Sequence, residues 1–479
     1  MSETRAIRDA ILQAQLETSN HGETPHPAHL YIPPAHIKSL NLDSTLVVGG
    51  RGVGKSFWTA ALADASLRQL LIGSVRQMEQ LEVCIGFKVD EDIDQRPNSD
   101  SFTQCLQAGC TPYDLWRCVI LHWLANQLQR PLPASNWLQR LRWLQEQPEE
   151  ASRLMSQANR HFQEQSRHAL FVFDALDRTS NDWRTMDEIV RGLLQATLWL
   201  KPFSNLHAKV FLRDDQMERT VTNFADASKL LASRTTLSWE RHDLHGLLWQ
   251  RLLNAPGNAG EQLRAAFKSI TGSLPPLRDD IWQLPDEARR DTPLQRALFE
   301  RLAGPWMGRD ARRGVPYVWA VNHLADGRGQ TSPRSFLAAI AEATADSLAR
   351  YPEHEHPLHY ESIKRGIQQA SQIRVSEMAE DYPWVPSLLE CLSGMRVPCD
   401  YEQILARWQQ EFPAGPSSVG DGSNGLPPQH AARGWDGVRA DLERIGLLEQ
   451  RRDGRIDMPD LYRVGFNLGR HGGVKPRSK

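Results

Sequence analysis

Lys55 and Ser56 close the run Leu46-Val47-Val48-Gly49-Gly50-Arg51-Gly52-Val53-Gly54-Lys55-Ser56, which has the spacing of a P-loop. Glycines let the backbone fold around a polyphosphate with its N–H groups turned inward, and the helix that follows adds its positive N-terminus. Lys55 would reach the β- and γ-phosphates, and the Ser56 hydroxyl would ligate Mg²⁺. The expected nucleotide-binding set is Gly49, Gly50, Arg51, Gly52, Val53, Gly54, Lys55, Ser56 and Phe57, with ATP and Mg²⁺ as its ligands.

A phosphate loop needs carboxylates opposite it. In Ala169-Leu170-Phe171-Val172-Phe173-Asp174 an apolar run ends in an aspartate, the pattern of a buried parallel strand with a carboxylate at its tip. Asp174 is the expected Mg²⁺ partner of Ser56, and Asp177 the residue that polarises the attacking water; the alternative is a buried strand ending in an Asx-turn. Ala175 stands where many P-loop ATPases carry glutamate. A further strand, Ala208-Lys209-Val210-Phe211-Leu212, ends at Arg213-Asp214-Asp215. Lying between the other two strands, it would aim Arg213 at the γ-phosphate; alternatively Arg213 pairs with its acidic neighbours on the surface. Thr235 to Trp239 reads as the last core strand, with Arg241 as a weaker contact just beyond it.

The phrase Phe173-Asp174-Ala175-Leu176-Asp177-Arg178 resembles the Walker B form of STAND, NACHT and KAP-type ATPases, AAA+-related signal-transducing enzymes often found in bacterial antiphage systems. Asp326-Gly327-Arg328-Gly329-Gln330-Thr331-Ser332-Pro333-Arg334 is similar to the entry of a sensor 2 helix. The resemblance covers about residues 30–345 and implies that Arg334 swings onto the nucleotide phosphates. Read without it, Arg334 is a first-turn helix residue behind a Ser-Pro cap. The resemblance also implies assembly into a homo-oligomer with an arginine donated from the next subunit, for which Arg178, Arg234 and Arg241 are candidates.

The elements that must position these residues need more than one core. At 479 residues two to four domains are expected. Apolar residues make up 40% and charged residues 24%, the proportions of a soluble globular protein. A net charge of −2 excludes a polycation, so any nucleic-acid contact must come from a local patch. No apolar leader or membrane-length run is present, and Cys84, Cys105, Cys110, Cys118, Cys391 and Cys399 contain no C-x-x-C pair. Reduced thiols in a cytoplasm, and no membrane partner, are the expectation.

The reading is an α/β fold: a P-loop core with a parallel sheet, a helical lid and a C-terminal winged-helix-like domain. Residues 1–40 carry a short amphipathic helix around Ile7 to Leu16 and a Pro-containing approach. Residues 41–245 form the core, with a second strand at Cys84–Lys88. Near 112–167 it holds a helical insertion whose stripe Leu115, Trp116, Val119, Ile120, Trp123 and Leu124 points to packing. The acidic residues Asp90, Glu91, Asp92 and Asp94 read as a solvated loop. Residues 246–345 form the lid, and 350–479 a module of helices, a closing Gly446 and two short strands around Asp453-Gly454. His354, Glu355, His356 and His359 have metal-like spacing, but Pro357 breaks the helix that would align them.

From Arg433 to Lys479 there are eleven Lys or Arg against seven Asp or Glu, so the C-terminal domain could touch nucleic acid or hold a partner protein. The function expected is an ATP-hydrolysing switch or motor serving a separate effector protein in a bacterial defence system. A DNA-binding loader or transposition-type ATPase, and a nucleotide scaffold that hardly hydrolyses, are the alternatives.

Overall fold

The computed structural model describes residues 3–16, 24–88, 92–176, 179–180, 182–217, 219–420 and 427–476. The chain divides into two compact units, one of residues 20–25 and 32–238, the other of residues 1–19, 26–31 and 239–479.

A five-stranded parallel sheet organises the first unit: β1 (Leu46–Val48), β2 (Leu81–Phe87), β3 (His168–Phe173), β4 (Leu206–Leu212) and β5 (Thr235–Thr236). The spatial order is β2-β3-β4-β1-β5, every neighbouring pair parallel. Leu170, Phe171, Val172 and Phe173 are wholly buried, as expected of an interior strand covered on both faces. Register aligns the strand ends: Val48 sits beside Leu212 and Thr236, and Phe173 beside Val210 and Phe87. The strand expected at Cys84–Lys88 starts earlier, at Leu81, and stops at Phe87.

Helices Ser99–Gln107, Pro112–Gln127, Trp137–Glu146, Pro148–Glu164 and Trp183–Leu200 surround this sheet. Their starts are legible in cap chemistry: the side chains of Asn98, Thr111, Asn136 and Asp182 each accept from a backbone N–H three residues on. The expected stripe is buried at Leu115, Trp116, Val119, Ile120 and Leu124, with Trp123 half-buried. Helix Pro112–Gln127 packs on Trp183–Leu200, where a Cβ on Gly192 would come within 2.7 Å of Pro112. Trp116 joins helix to sheet. Its ring centroid lies 4.8 Å from Phe102, 5.8 Å from Phe87 and 5.4 Å from Phe173. Its indole N–H donates to the Ile189 carbonyl at 2.9 Å, so no polar group is stranded.

In the second unit, helix Glu3–Gln13 packs on Gly257–Thr271 and Pro333–Arg350. Arg8, fully buried, donates to the carbonyls of Pro352, His356 and Pro357. The polypeptide bearing His354, Glu355 and His356 thus wraps a guanidinium, and among the described residues no three His, Cys, Asp or Glu side chains are grouped to hold a metal ion. Helix Pro333–Arg350 lies along Tyr360–Asp381, so closely that a Cβ on Gly366 would stand 2.1 Å from the Ala339 carbonyl oxygen. Helices Arg241–Leu253, Pro293–Ala303 and Pro316–His323 complete the region expected as a lid.

Farther on come helices Trp384–Glu390, Tyr401–Glu411 and Trp435–Arg444, the last closed by Gly446 at φ +78°. An antiparallel hairpin pairs Glu449–Gln450 with Ile456–Asp457 and turns through Gly454 at φ +87°. Among the described residues no helix is long and apolar enough to cross a membrane, and all six cysteines are thiols.

Candidate nucleotide site

β1 is buried between β4 and β5 and delivers Gly49, whose N–H donates to the Leu212 carbonyl at 3.1 Å. A Cβ on Gly49 would lie 2.7 Å from Val53 Cγ2, so the tight start of the loop requires glycine. Gly52 and Gly54 take φ of +75° and +105°, and Gly54 caps helix Lys55–Ala63. Lys55 Nζ folds over the loop, donating to the carbonyls of Gly49 at 2.9 Å and Gly50 at 2.7 Å. Ser56 is exposed in the first turn; Arg51 and Phe57 are half-buried, and Val53 is buried.

Asp174 emerges at the tip of β3, 5% exposed, its N–H bonded to the Phe87 carbonyl at 3.0 Å. Ala175 follows at φ +56°, a left-handed conformation that turns the chain sharply after the carboxylate. A small residue suits that turn, which is a local reason for alanine where glutamate is common. Asp177 and Arg178 lie outside the described residues.

At the tip of β4, Arg213 makes a two-point pair with Asp215, Nε to Oδ1 at 3.1 Å and Nη2 to Oδ2 at 2.9 Å. The acidic neighbour is therefore a partner, but the pair is buried and not on the surface. Gln216 accepts from the Arg213 N–H and fixes the turn. Arg334 opens its helix behind Ser332, whose hydroxyl accepts from the Ser335 N–H at 3.1 Å. Its Nη1 binds Glu377 at 2.6 Å, and Arg374 binds the same carboxylate at 3.2 Å. Arg234 is exposed before β5, whereas the charge of Arg241 is felt by Asp291, Tyr317 and His245 within its own unit.

Two residues behind the loop carry no sequence signal. The Trp58 indole N–H donates to His36 Nδ1 at 3.1 Å, so His36 Nε2 holds the proton and donates to the Ser238 carbonyl at 3.0 Å. Burial pushes the His36 imidazole down to about 4, keeping this relay neutral. It ties the P-loop helix to helix Pro34–Leu40 and to the end of β5.

A loop with left-handed turns at Gly52 and Gly54 that opens a helix suits a polyphosphate, and a hydroxyl with a carboxylate suits a hard cation such as Mg²⁺. Ser56 and Asp174 are the groups to hold that cation.

Loop sequence and strand order together define an α/β fold with a P-loop following β1, alongside a helical second unit. No protein-family model matches the chain, and no curated protein does. It is similar to the ORC2 protein of Aeropyrum pernix, solved as ADPNP–ADP complexes, at 11% identity and TM-score 0.40 over 91% of this chain and 94% of that one. The ORC1 protein of the same organism, solved with DNA, gives 14% identity and TM-score 0.33 over 96% and 90%. Both superpose loosely, and the fold assignment rests on the loop and the strand order.

Proposed function

We propose that the chain binds ATP with Mg²⁺ and hydrolyses it as a molecular switch, the ATPase subunit of a bacterial defence system with a separate effector. One observation carries the ATPase reading. β1, β4 and β3 are consecutive and parallel in the sheet, with Val48 beside Leu212 and Phe173 beside Val210, so the phosphate loop, Arg213 and Asp174 all follow strand ends at the same edge. The defence setting rests on the resemblance of Phe173 to Arg178 alone.

In this scheme the loop N–H groups fix the phosphates, and Lys55 leaves the Gly49 and Gly50 carbonyls for the β- and γ-oxygens. Ser56 and Asp174 would hold Mg²⁺, which would supply neutralisation of phosphate charge. Asp177 orients the attacking water. Arg213 exchanges Asp215 for the γ-phosphate, and Arg334 exchanges Glu377 for phosphate as the lid closes, so each ion pair is a resting partner. Hydrolysis reopens the lid and changes what the C-terminal module presents to its partner.

Lys55→Ala tests the site directly. The Lys55 ammonium donates to loop carbonyls, so the variant should still fold and lose Mg-ATP binding or turnover. Wild-type phosphate release from a folded Lys55→Ala protein would sink the assignment.

A further inference from the structure

The basic surplus after Arg433 includes arginines on and beyond the hairpin at 449–457, yet carboxylates hold several of them. Arg451 binds Asp457 at 2.7 Å, Arg455 binds Asp453 at 2.7 Å and Arg470 binds Asp460 at 3.1 Å. A different element of the same unit has the opposite balance. Between helices Pro293–Ala303 and Pro316–His323 runs Gly304-Pro305-Trp306-Met307-Gly308-Arg309-Asp310-Ala311-Arg312-Arg313-Gly314-Val315, with three arginines against one aspartate.

The loop is rigidly built. The Met307 N–H donates to the Gly314 carbonyl at 2.8 Å, and Met307 itself is buried. Asp310 Oδ1 accepts from the Arg312 N–H at 3.0 Å and caps a short 3-10 turn, Ala311–Arg313. Gly304 and Gly314 hold φ of +71° and +95°; a Cβ on either would press His356 or Trp319. On this frame Arg309, Arg312 and Arg313 are exposed. Asp310 pairs with Arg312, while Arg309 and Arg313 make no ion pair among the described residues. Trp306 and Val315, immediately outside the Met307–Gly314 bond, are exposed by 38% and 40%.

An exposed indole beside unneutralised guanidiniums has a specific chemical complement. Guanidinium forks fit phosphate oxygens, and an indole face stacks on any unpaired base. The chain as a whole carries −2, so attraction to a polyanion must be local, and this loop supplies it. We propose that the loop 304–315 binds a single-stranded nucleic acid, Arg309 and Arg313 on phosphates and Trp306 on a base. The site is independent of the nucleotide reading, because none of its residues belongs to the nucleotide-site set.

Anisotropy of a fluorescein-labelled oligo-dT with the full-length chain, over a salt series, tests this. Combined Arg309→Gln, Arg312→Gln and Arg313→Gln should weaken binding at least about tenfold and reduce the salt slope by about 1.4, at roughly 0.7 for each of the two phosphate contacts. Trp306→Ala should weaken binding about fivefold or more without changing the slope, and Trp306→Phe should recover most of it. Arg451→Gln with Arg455→Gln, and separately Lys55→Ala, should leave binding intact. All these positions are exposed or outside the core, and unchanged melting temperatures establish that each variant folds. The proposal is overturned if the triple variant binds like wild type, if duplex of the same length binds better than the single strand, or if polyglutamate competes as well as unlabelled oligo-dT. Loss of binding only in the Arg451 and Arg455 variants would move the contact to the hairpin and overturn it equally.

Discussion

Asp174 and Asp177 are only three positions apart in the sequence, but their proposed tasks separate in experiment. Asp174 is buried at a strand tip and is the Mg²⁺ group, so Asp174→Asn should weaken Mg²⁺-dependent ATP binding. Asp177→Asn should keep ATP bound and slow phosphate release by about a hundredfold, the usual worth of a group that positions a reacting proton. Equilibrium binding and steady-state release, measured on both variants, distinguish the two. Wild-type turnover by Asp177→Asn would give the water to another residue. At this scale the sequence was readable wherever chemistry is continuous along the chain. The P-loop is one such case, since its glycines, lysine and serine answer to a single turn. The partner of Arg213 was legible only as a choice, because burial is not written in the residues themselves. The left-handed Ala175 left no signal at all, since alanine takes that conformation only when its surroundings impose it.

Strands and helices were legible where apolar period and caps agree. β1, β3 and β4 are bounded by their own apolar runs, and helices Pro112–Gln127 and Trp183–Leu200 begin at Thr111 and Asp182. What joins one element to another was not. Lys209 interrupts β4 in the sequence with a charge, yet it is fully buried, and its Nζ donates to the carbonyls of Ser39 at 2.6 Å, Asn41 at 3.0 Å and Ser44 at 2.7 Å. Burial pushes its amine down to about 7, while three carbonyls match the three N–H bonds of the ammonium form. The side chain thereby staples the polypeptide entering β1 to the neighbouring strand. Lys209→Met preserves the stem and strands those carbonyls. It should destabilise the protein by about 3 kcal/mol, since each buried acceptor left unpaired costs about 1–3 kcal/mol. Chemical denaturation measures this, and a midpoint within error of wild type would mean that water replaces the ammonium without cost.

The division into two units was less legible than the elements, because residues 26–31 and the N-terminal helix join the helical unit across a long stretch of sequence. Assembly is the next level. If the exposed Arg234 completes a neighbour's site, turnover per chain should rise with protein concentration, and Arg234→Ala should be rescued by mixing with Asp177→Asn subunits. Flat specific activity from a monomer, by light scattering, would remove the shared site.

Acid sensitivity is distributed over both units, through imidazoles that bury in the neutral form. Burial pushes His36 down to about 4 and His245 down to about 3. His245 Nε2 donates to the Tyr317 carbonyl at 2.9 Å, its ring lies 4.1 Å from that of Tyr317, and Arg241 disfavours its protonation while Asp291 weakly favours it. In the unfolded chain both histidines titrate near about 6.5. Between that value and about 4 the unfolded state binds protons that the native state refuses, so the histidines' contribution to stability falls as pH falls through this window and is level above it. Asp460 works in a separate range: burial opposes its ionisation, but His323 and Arg463 hold it down to about 2, so its contribution persists until pH drops below the ordinary carboxylate value. The histidines should therefore add a steady decline of the melting temperature from about pH 6.5 to pH 4.5, below the range in which Lys209 makes stability fall as pH falls towards 7. His245→Gln, which keeps a donor for the Tyr317 carbonyl and removes the titration, should flatten the decline even if it lowers the neutral value. A melting temperature unchanged down to pH 5, or an equal slope in His245→Gln, would show that these rings accept protons in place and that acid acts elsewhere.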